Sequence, residues 1–357
     1  MDSNYSTRAD RLVEAMAERD VECVLITSPI GVEYLTGFTG SNGACLVGPD
    51  SRSFLTDFRY EERVADGMPG WEVEIVRGDW VESLSSRLPG RTGIEDGHLT
   101  VRSAARLESA AGGGVELVAA GDLLEGLRRS KDASEIAAVA KAAELSDRIL
   151  GEVFESGLIG RTEAEVAGQI VSRMREEGAE PSFLPIVAAG PNGADPHAEP
   201  GARRIEPEEL VVIDMGSRLN GYCSDCTRTV ATGELDDEAM KVYEVVLEAN
   251  EAALAAVRSG AGCAAVDLVA REIIEAAGWG DRFGHGVGHG VGLEIHEDPR
   301  IGPRSTETLV EGDVVTIEPG VYLPGRLGVR IEDLVVVGSE GIEANLSSHP
   351  KTLTVTQ

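Results

Sequence analysis

A chain of 357 residues, 42% hydrophobic and 26% charged, is long enough for two domains of ordinary size. Its formal net charge of −30 argues against nucleic acid and anionic membranes as partners. No apolar run approaches the roughly 20 residues of a membrane span, and residues 1–11 are polar with no signal core, so a cytoplasmic location is expected.

Lysine is almost absent (Lys131, Lys141, Lys241 and Lys351), and arginine carries nearly all the positive charge. The acidic residues are spread along the chain, as on a charged surface and not in a disordered tail. Strong acidity with few lysines resembles halophile proteins, where salt screens the self-repulsion. Five cysteines, an odd number, do not make a disulfide framework. Cys223 and Cys226 form one CxxC without the second pair a zinc ribbon needs, and they sit in a strand-like run, not at a helix start.

In chain order, residues 8–19 read as an amphipathic helix with Leu12, Val13 and Met16 on one face. Short strands are predicted over 21–27, 44–47 and 53–56, the last two separated by a Gly-Pro-Asp turn at Gly48. The glycine-rich stretch from Tyr34 to Gly43 lacks GxGxxG spacing, and no phosphate-binding GxxxxGK[ST] occurs. The texture changes near residue 128, where a domain boundary is placed. A helix follows over 131–155, then a second from Thr162 with a capping box to Glu165. Strands are predicted over 184–189 and 210–215, and helices over 236–257 and 264–277. The last eighty or so residues read as strand and loop.

Four short stretches of the second half carry the chemistry. Val211-Val-Ile-Asp-Met precedes an Asn220-Gly turn and then Tyr222-Cys-Ser-Asp-Cys-Thr. Symmetric pairing about Leu219 and Asn220 sets Asp214 opposite Asp225, and opposed residues share a sheet face with Cβ atoms ~5 Å apart. Val314-Val-Thr-Ile-Glu-Pro-Gly and the strand predicted over 327–337 repeat the device, since pairing about Gly325 sets Glu318 opposite Glu332. The third stretch, from Gly284 to Glu297, holds His285, His289 and His296 among glycines that let backbone approach a bound group. It is not HExxH, which excludes the single-zinc helix motif. His197 sits in a fourth, loop-like stretch.

Four carboxylates in one pocket repel unless protons or cations lie between them. Two divalent ions cancel four carboxylates, and His289 adds a neutral nitrogen. Oxygen-rich ligation without thiolate suits Mn or Co, with Fe or Zn also compatible.

These stretches, in this order, resemble the Xaa-Pro metallopeptidases of the pita-bread fold, prolidase and aminopeptidase P. Tyr34-Leu-Thr-Gly-Phe-Thr-Gly and Leu55-Thr-Asp-Phe-Arg-Tyr resemble that family's N-terminal domain, and Lys131-Asp with Glu135-Ile resembles the start of its catalytic domain. The resemblance implies an α+β chain: a smaller α/β domain at 1–128, then at 129–357 a curved antiparallel sheet flanked by helices. It makes Asp214, Asp225, His289, Glu318 and Glu332 ligands of two divalent ions, with Asp225 and Glu332 bridging. It gives Glu318 a second task as proton carrier, and makes His197 and His296 the groups that hold the substrate carbonyl and the oxyanion. Arg300 corresponds to an arginine that meets the substrate carboxylate, and His285 to a residue lining the substrate pocket. The substrate implied is a short proline-containing peptide, and the assembly implied is a homodimer. Cys226 departs from the aliphatic residue many members carry after the second aspartate.

Two readings of the motifs stay open beside peptide cleavage. One is a related small-amide hydrolase, of the creatinase type or acting on an N-acetylated compatible solute. The other is a binding protein that keeps the fold without catalysis. The motifs leave dipeptidase and aminopeptidase action undecided.

Overall fold

The computed structural model describes residues 4–356. Of the polar N-terminal run, Met1 to Ser3 therefore lie outside the described residues. The chain divides into two compact units, Met1–Arg128 and Arg129–Gln357. Among the described residues no helix is long and apolar enough to cross a membrane.

The first unit is built on a six-stranded mixed sheet in the order Glu72–Val76, Ser51–Asp57, Gly43–Gly48, Cys23–Ile26, Arg91–Ile94 and Glu116–Ala119. Its three middle strands pair antiparallel and its outer ones parallel. The first helix runs Asn4–Met16, shifted toward the N-terminus of the stretch its apolar spacing marks, with Leu12 and Met16 buried. The glycine-rich stretch begins inside the helix Pro29–Thr36, which Gly37 stops by adopting a left-handed φ of 72°.

In the second unit two capping boxes set the helix starts, the one predicted at Thr162 and a second at Asp132. Asp132 and Glu135 form a capping box for Ala133–Glu155, and Thr162 and Glu165 form another for Glu163–Glu176. Their apolar faces cover one antiparallel sheet, Cys226–Ala231, Leu210–Met215 and Ile186–Ala189, through a cluster that includes Ile149, Val153, Val166, Ile170, Val211 and Ile213. The helices Asp237–Ala256 and Cys263–Ala276 cover a second antiparallel sheet of Glu297–Ile301, Gly288–Gly290, Val314–Ile317, Asp333–Val337 and Ile342–Asn345. Thr229, on the edge strand of the first sheet, ties it to the two-stranded hairpin Gly320–Leu323 and Leu327–Arg330, since its Oγ1 donates to Arg330 O at 2.9 Å and accepts from Arg330 N at 3.1 Å.

Two expectations about strand geometry need correction. The first hairpin turns on Asn220 and Gly221, whose φ values of 51° and 89° are those of a type I′ turn, one residue later than the predicted centre. Leu219 therefore pairs with Tyr222, and the same register sets Asp214 opposite Thr227, not Asp225. Asp225 lies two residues from Thr227, so the pleat still gives it the same side. The second hairpin does pair about Gly325, with Gly320 opposite Arg330. The predicted strand over 327–337, however, is two strands, Leu327–Arg330 and Asp333–Val337, in different sheets. Glu332 lies in the break because its backbone N–H turns to Thr227 O, at 3.2 Å. The fully buried Asn250 takes the carbonyls freed at both breaks, with Nδ2 at 2.9 Å from Ile317 O and 3.2 Å from Ile331 O.

Close backbone approach makes one glycine indispensable and leaves another replaceable. A Cβ on Gly216 would stand 1.9 Å from Ser224 O, whereas one on Gly151, within the long helix, meets nothing within 4 Å. Gly216→Ala is expected to destabilise by about 3 kcal/mol, and Gly151→Ala to stabilise by up to about 1 kcal/mol. Urea melts of the two variants check this, and a neutral Gly216→Ala would show the hairpin is looser than described.

Candidate metal centre

Five strands or their ends contribute one donor each. Asp214 is the penultimate residue of Leu210–Met215, Asp225 precedes Cys226–Ala231, and His289 is the middle residue of Gly288–Gly290. Glu318 follows Val314–Ile317, and Glu332 precedes Asp333–Val337. Oxygens of Asp214, Asp225 and Glu332 lie within 4.8 Å of one another, and all three residues are buried. His289 Nε2 reaches the same place, 3.6 Å from Asp225 Oδ2 and 3.3 Å from Glu318 Oε1. Glu318 is half-buried. All five face one cavity of about 1080 Å³, with His197, His285, His296 and Arg300 also on its wall.

The electrostatics of this cluster are unfavourable without added positive charge. Burial, then the neighbouring Glu332, Asp214 and Glu318, push the Asp225 carboxyl well above the usual carboxylate range. Burial, then Glu318 and Asp214, do the same to Glu332. Burial raises Asp214 too, although Arg330 opposes it with a 2.5 Å hydrogen bond from Nη2 to Asp214 Oδ2. Burial also works to raise Glu318, but its contact with His289 outweighs that and holds it down at about 2.

The donor set fits divalent metal. Asp214 Oδ1 and Glu332 Oε1 are buried with no hydrogen-bond partner, which costs free energy unless a cation takes their lone pairs. His289 Nδ1 sits 3.1 Å from Gly290 O, a carbonyl that can only accept. Nδ1 therefore carries a proton, and Nε2 is left facing two carboxylates, a place for a proton or a metal ion. A ring nitrogen and four carboxylates converging in this way suit a divalent cation between them.

Around the cluster, the residues named from sequence differ in what they have free. His197 is exposed, and its ring has no hydrogen-bond partner among the described residues. The ring of His296 packs edge-on against His289 at 4.4 Å between centroids. Partial burial, with His289 and Arg300 nearby, lowers His296 to about 4, so it is neutral at pH 7. The Arg300 guanidinium is exposed and, among the described residues, makes no salt bridge. His285 is different: Nδ1 is 2.8 Å from Gly286 O and Nε2 2.9 Å from Tyr322 OH, so both ring nitrogens are already used. It can present only a ring face to a ligand.

Sequence reasoning missed Arg330, Tyr322 and Thr227. Arg330 is buried and hydrogen-bonds Asp214, Tyr322 and Thr227, while Thr227 Oγ1 donates to Glu332 Oε2 at 2.8 Å. The signal was available in Gly-Val-Arg-Ile-Glu, where an arginine in an apolar strand two residues before Glu332 needs a buried anion. Cys223 and Cys226 are free and buried, and burial raises both thiols, Cys223 to about 11. Neither is poised for redox chemistry.

A buried nest of carboxylates capped by one imidazole, on strand ends facing a cavity, defines a metallohydrolase centre. The chain belongs to metallopeptidase family M24, matched over residues 137–339, and residues 8–130 match the creatinase/prolidase N-terminal domain. It is 35% identical to the Xaa-Pro dipeptidase of Pyrococcus furiosus over 94% of this chain and 96% of that one. Among solved structures, the Xaa-Pro dipeptidase from Bacillus anthracis superposes with a TM-score of 0.94 at 35% identity, covering 99% of this chain and 100% of that one. The X-Pro aminopeptidase from Thermotoga maritima MSB8 gives 0.89 at 34% identity, over 98% and 100%. The helix-flanked antiparallel sheets of the second unit are thus the pita-bread fold in an α+β chain.

The raised carboxyls set a pH dependence for the metal-free protein. Above about pH 4 the unfolded chain has released protons that folded Asp225 and Glu332 retain. The folded state then binds more protons, so stability falls as pH rises through the window above pH 4. Thermal melts of chelated protein are expected to drop between pH 5 and pH 7, and less so in the Asp225→Asn, Glu332→Gln double variant. An unchanged slope in that variant would assign the effect to the overall charge.

Proposed function

We infer that this protein is a dinuclear-metal peptidase that hydrolyses the peptide bond before proline in short peptides. The observation that carries the reading is the five-donor cluster, complete in this chain, beside two histidines with free ring positions. The names of the Pyrococcus furiosus and Bacillus anthracis relatives support the choice of bond. In the reading, Asp214, Asp225, His289, Glu318 and Glu332 would hold two divalent ions, with Asp225 and Glu332 shared between them. Mn or Co suits the oxygen-rich set best, with Fe or Zn compatible. When bound, the ions supply Lewis acidity and make a water nucleophilic at neutral pH.

The protein's own groups do the rest. Glu318, held by Thr316 Oγ1 at 3.2 Å, takes the proton of the attacking water on its carboxylate and returns it to the departing proline nitrogen. His197 and His296 donate to the scissile carbonyl oxygen as it gains charge. Arg300 meets the substrate carboxylate, a guanidinium task. Phe183, Leu184 and Ile295 give the cavity apolar wall against which a pyrrolidine ring can lose water. His285 serves through Tyr322, which also accepts from Arg330 Nη1 at 3.0 Å and so braces the arginine on Asp214.

An unpaired Arg300 favours substrates whose carboxylate lies close to the cleaved bond, and hence dipeptides. A small-amide hydrolase or a binding protein of this fold has less support, because every metal donor is present. The acidic, lysine-poor surface fits a cytoplasmic enzyme, acting as a homodimer, in a salt-rich cell. Assays in molar KCl with Mn or Co are expected to show Ala-Pro hydrolysed faster than Ala-Pro-Ala. Arg300→Met should raise KM for Ala-Pro by about tenfold or more. Faster cleavage of the tripeptide, untouched by Arg300→Met, would overturn the dipeptidase assignment.

A further inference from the structure

His197 rides on a loop, residues 190–201, that is poor in the apolar side chains that usually hold a segment in place. Apart from His197 and Glu199 it consists of glycine, proline, alanine and short polar residues, and much of it is exposed. Left to itself such a loop would sample many conformations and would not keep an imidazole at the cavity wall.

A 3-10 turn over Gly190–Ala194 and the close approach of Gly193 to Gly328 fix part of it, and one buried carboxylate outside the metal cluster ties its two ends together. Glu163 opens the helix Glu163–Glu176 and is 1% exposed. Its Oε1 accepts from Ala189 N at 2.9 Å, where the chain enters the loop. Its Oε2 accepts from Gly201 N at 3.1 Å, where the chain leaves. Both oxygens accept from Asn192 Nδ2, at 3.0 and 3.1 Å. From Asn192 the bonding runs on to the histidine: Asp195 N donates to Asn192 O at 3.0 Å, and His197 N donates to Asp195 Oδ1 at 3.0 Å. On the other side Arg330 Nη1 donates to Pro196 O at 3.3 Å. His197 is thus braced between two buried charges, one on a helix and one beside the metal cluster.

A carboxylate at the start of a helix favours the helix dipole wherever it points, and an exposed one would do that without desolvation. Burying it costs free energy that only a full set of donors offsets. Among the described residues, the donors to it come from the loop and its two ends, and none from the helix that the residue begins.

We propose that Glu163 is a positioning residue, clamping both ends and the Asn192 side chain of the loop so that His197 is set for the scissile carbonyl. The proposal rests on the reading that His197 touches substrate. A displacement of the imidazole by about 1 Å would lower turnover by one to two orders of magnitude. Metal binding, which uses none of these groups, would be unchanged.

The test uses the full-length, metal-loaded protein with Glu163→Gln, Asn192→Ala, His197→Ala and the corresponding double variants. Glu163→Gln and Asn192→Ala are each expected to lower kcat by about tenfold or more, with Mn affinity by calorimetry within about twofold of wild type. In the His197→Ala background either change should cost less than about twofold. Amide hydrogen exchange in residues 189–201 should speed up in Glu163→Gln, while Gly288–Gly290 stays protected. Full additivity with His197→Ala, or unchanged exchange in the loop, would overturn the clamp. Wild-type turnover in His197→Ala would instead overturn the role given to that histidine. The two failures are distinguishable, because exchange reads the clamp without reference to turnover. Asn192, being exposed, keeps the test available if Glu163→Gln folds poorly.

Discussion

Like charges held together in a low-dielectric interior dominate this molecule. Asp214, Asp225, Glu318 and Glu332 converge where water cannot screen them, and three of their carboxyls are pushed upward for that reason. Placing them there costs stability, and the surrounding fold is arranged to offset the cost. Arg330 lies fully against Asp214, and behind Glu332 the buried Arg228 bonds Asp333, which also takes Lys351 Nζ at 2.6 Å. These cations spare the inner faces of the carboxylates, where two oxygens keep lone pairs with no partner. What completes the balance is a bound cation, so metal binding and folding of the second unit are coupled.

Backbone geometry follows from the same demand. A donor inside a regular ladder points to one face, as Asp214 does, and the other three carboxylates reach it from places where ladders end. Asp225, Glu318 and Glu332 all stand beside strand ends, and the peptide groups freed there are accounted for by Asn250, Thr227 and Pro319. Glycine supplies the remaining clearance. A Cβ on Gly288 would stand 1.9 Å from Thr316 O, so the backbone carrying His289 can lie this close to its neighbour only without a side chain.

Asp214, Glu318 and Glu332 stood out in the sequence as candidate donors because each is a charge in or beside a run of aliphatics, which needs a partner. Asp225, among small polar residues, and His289, among glycines, were marked instead by the hairpin and by the family's motifs. The helix start at Thr162 was legible for an equally local reason, its reciprocal capping with Glu165, and the structure shows the same device at Asp132. Register was less so. The Asn-Gly dipeptide marked the turn, yet the type I′ geometry places that dipeptide at the turn's centre and moves Asp225 from facing Asp214 to a position two residues along. The break at Glu332 was hidden because Val-Arg-Ile-Glu-Asp-Leu-Val reads as one β-strand, and only pairing with a distant Thr227 interrupts it. Arg330, Tyr322 and Glu163 escaped for a shared reason. Their partners lie far away in the chain, and a lone arginine, tyrosine or first-turn glutamate is ordinarily a surface residue or a helix cap.

Elemental analysis of active enzyme, paired with anomalous scattering from crystals of the same preparation, tests the central claim most directly. The account predicts two transition-metal ions per chain, both within coordination distance of Asp225 and Glu332, and loss of both in Asp225→Asn. Full activity in protein carrying no transition metal, or ions located away from those two carboxylates, would contradict it.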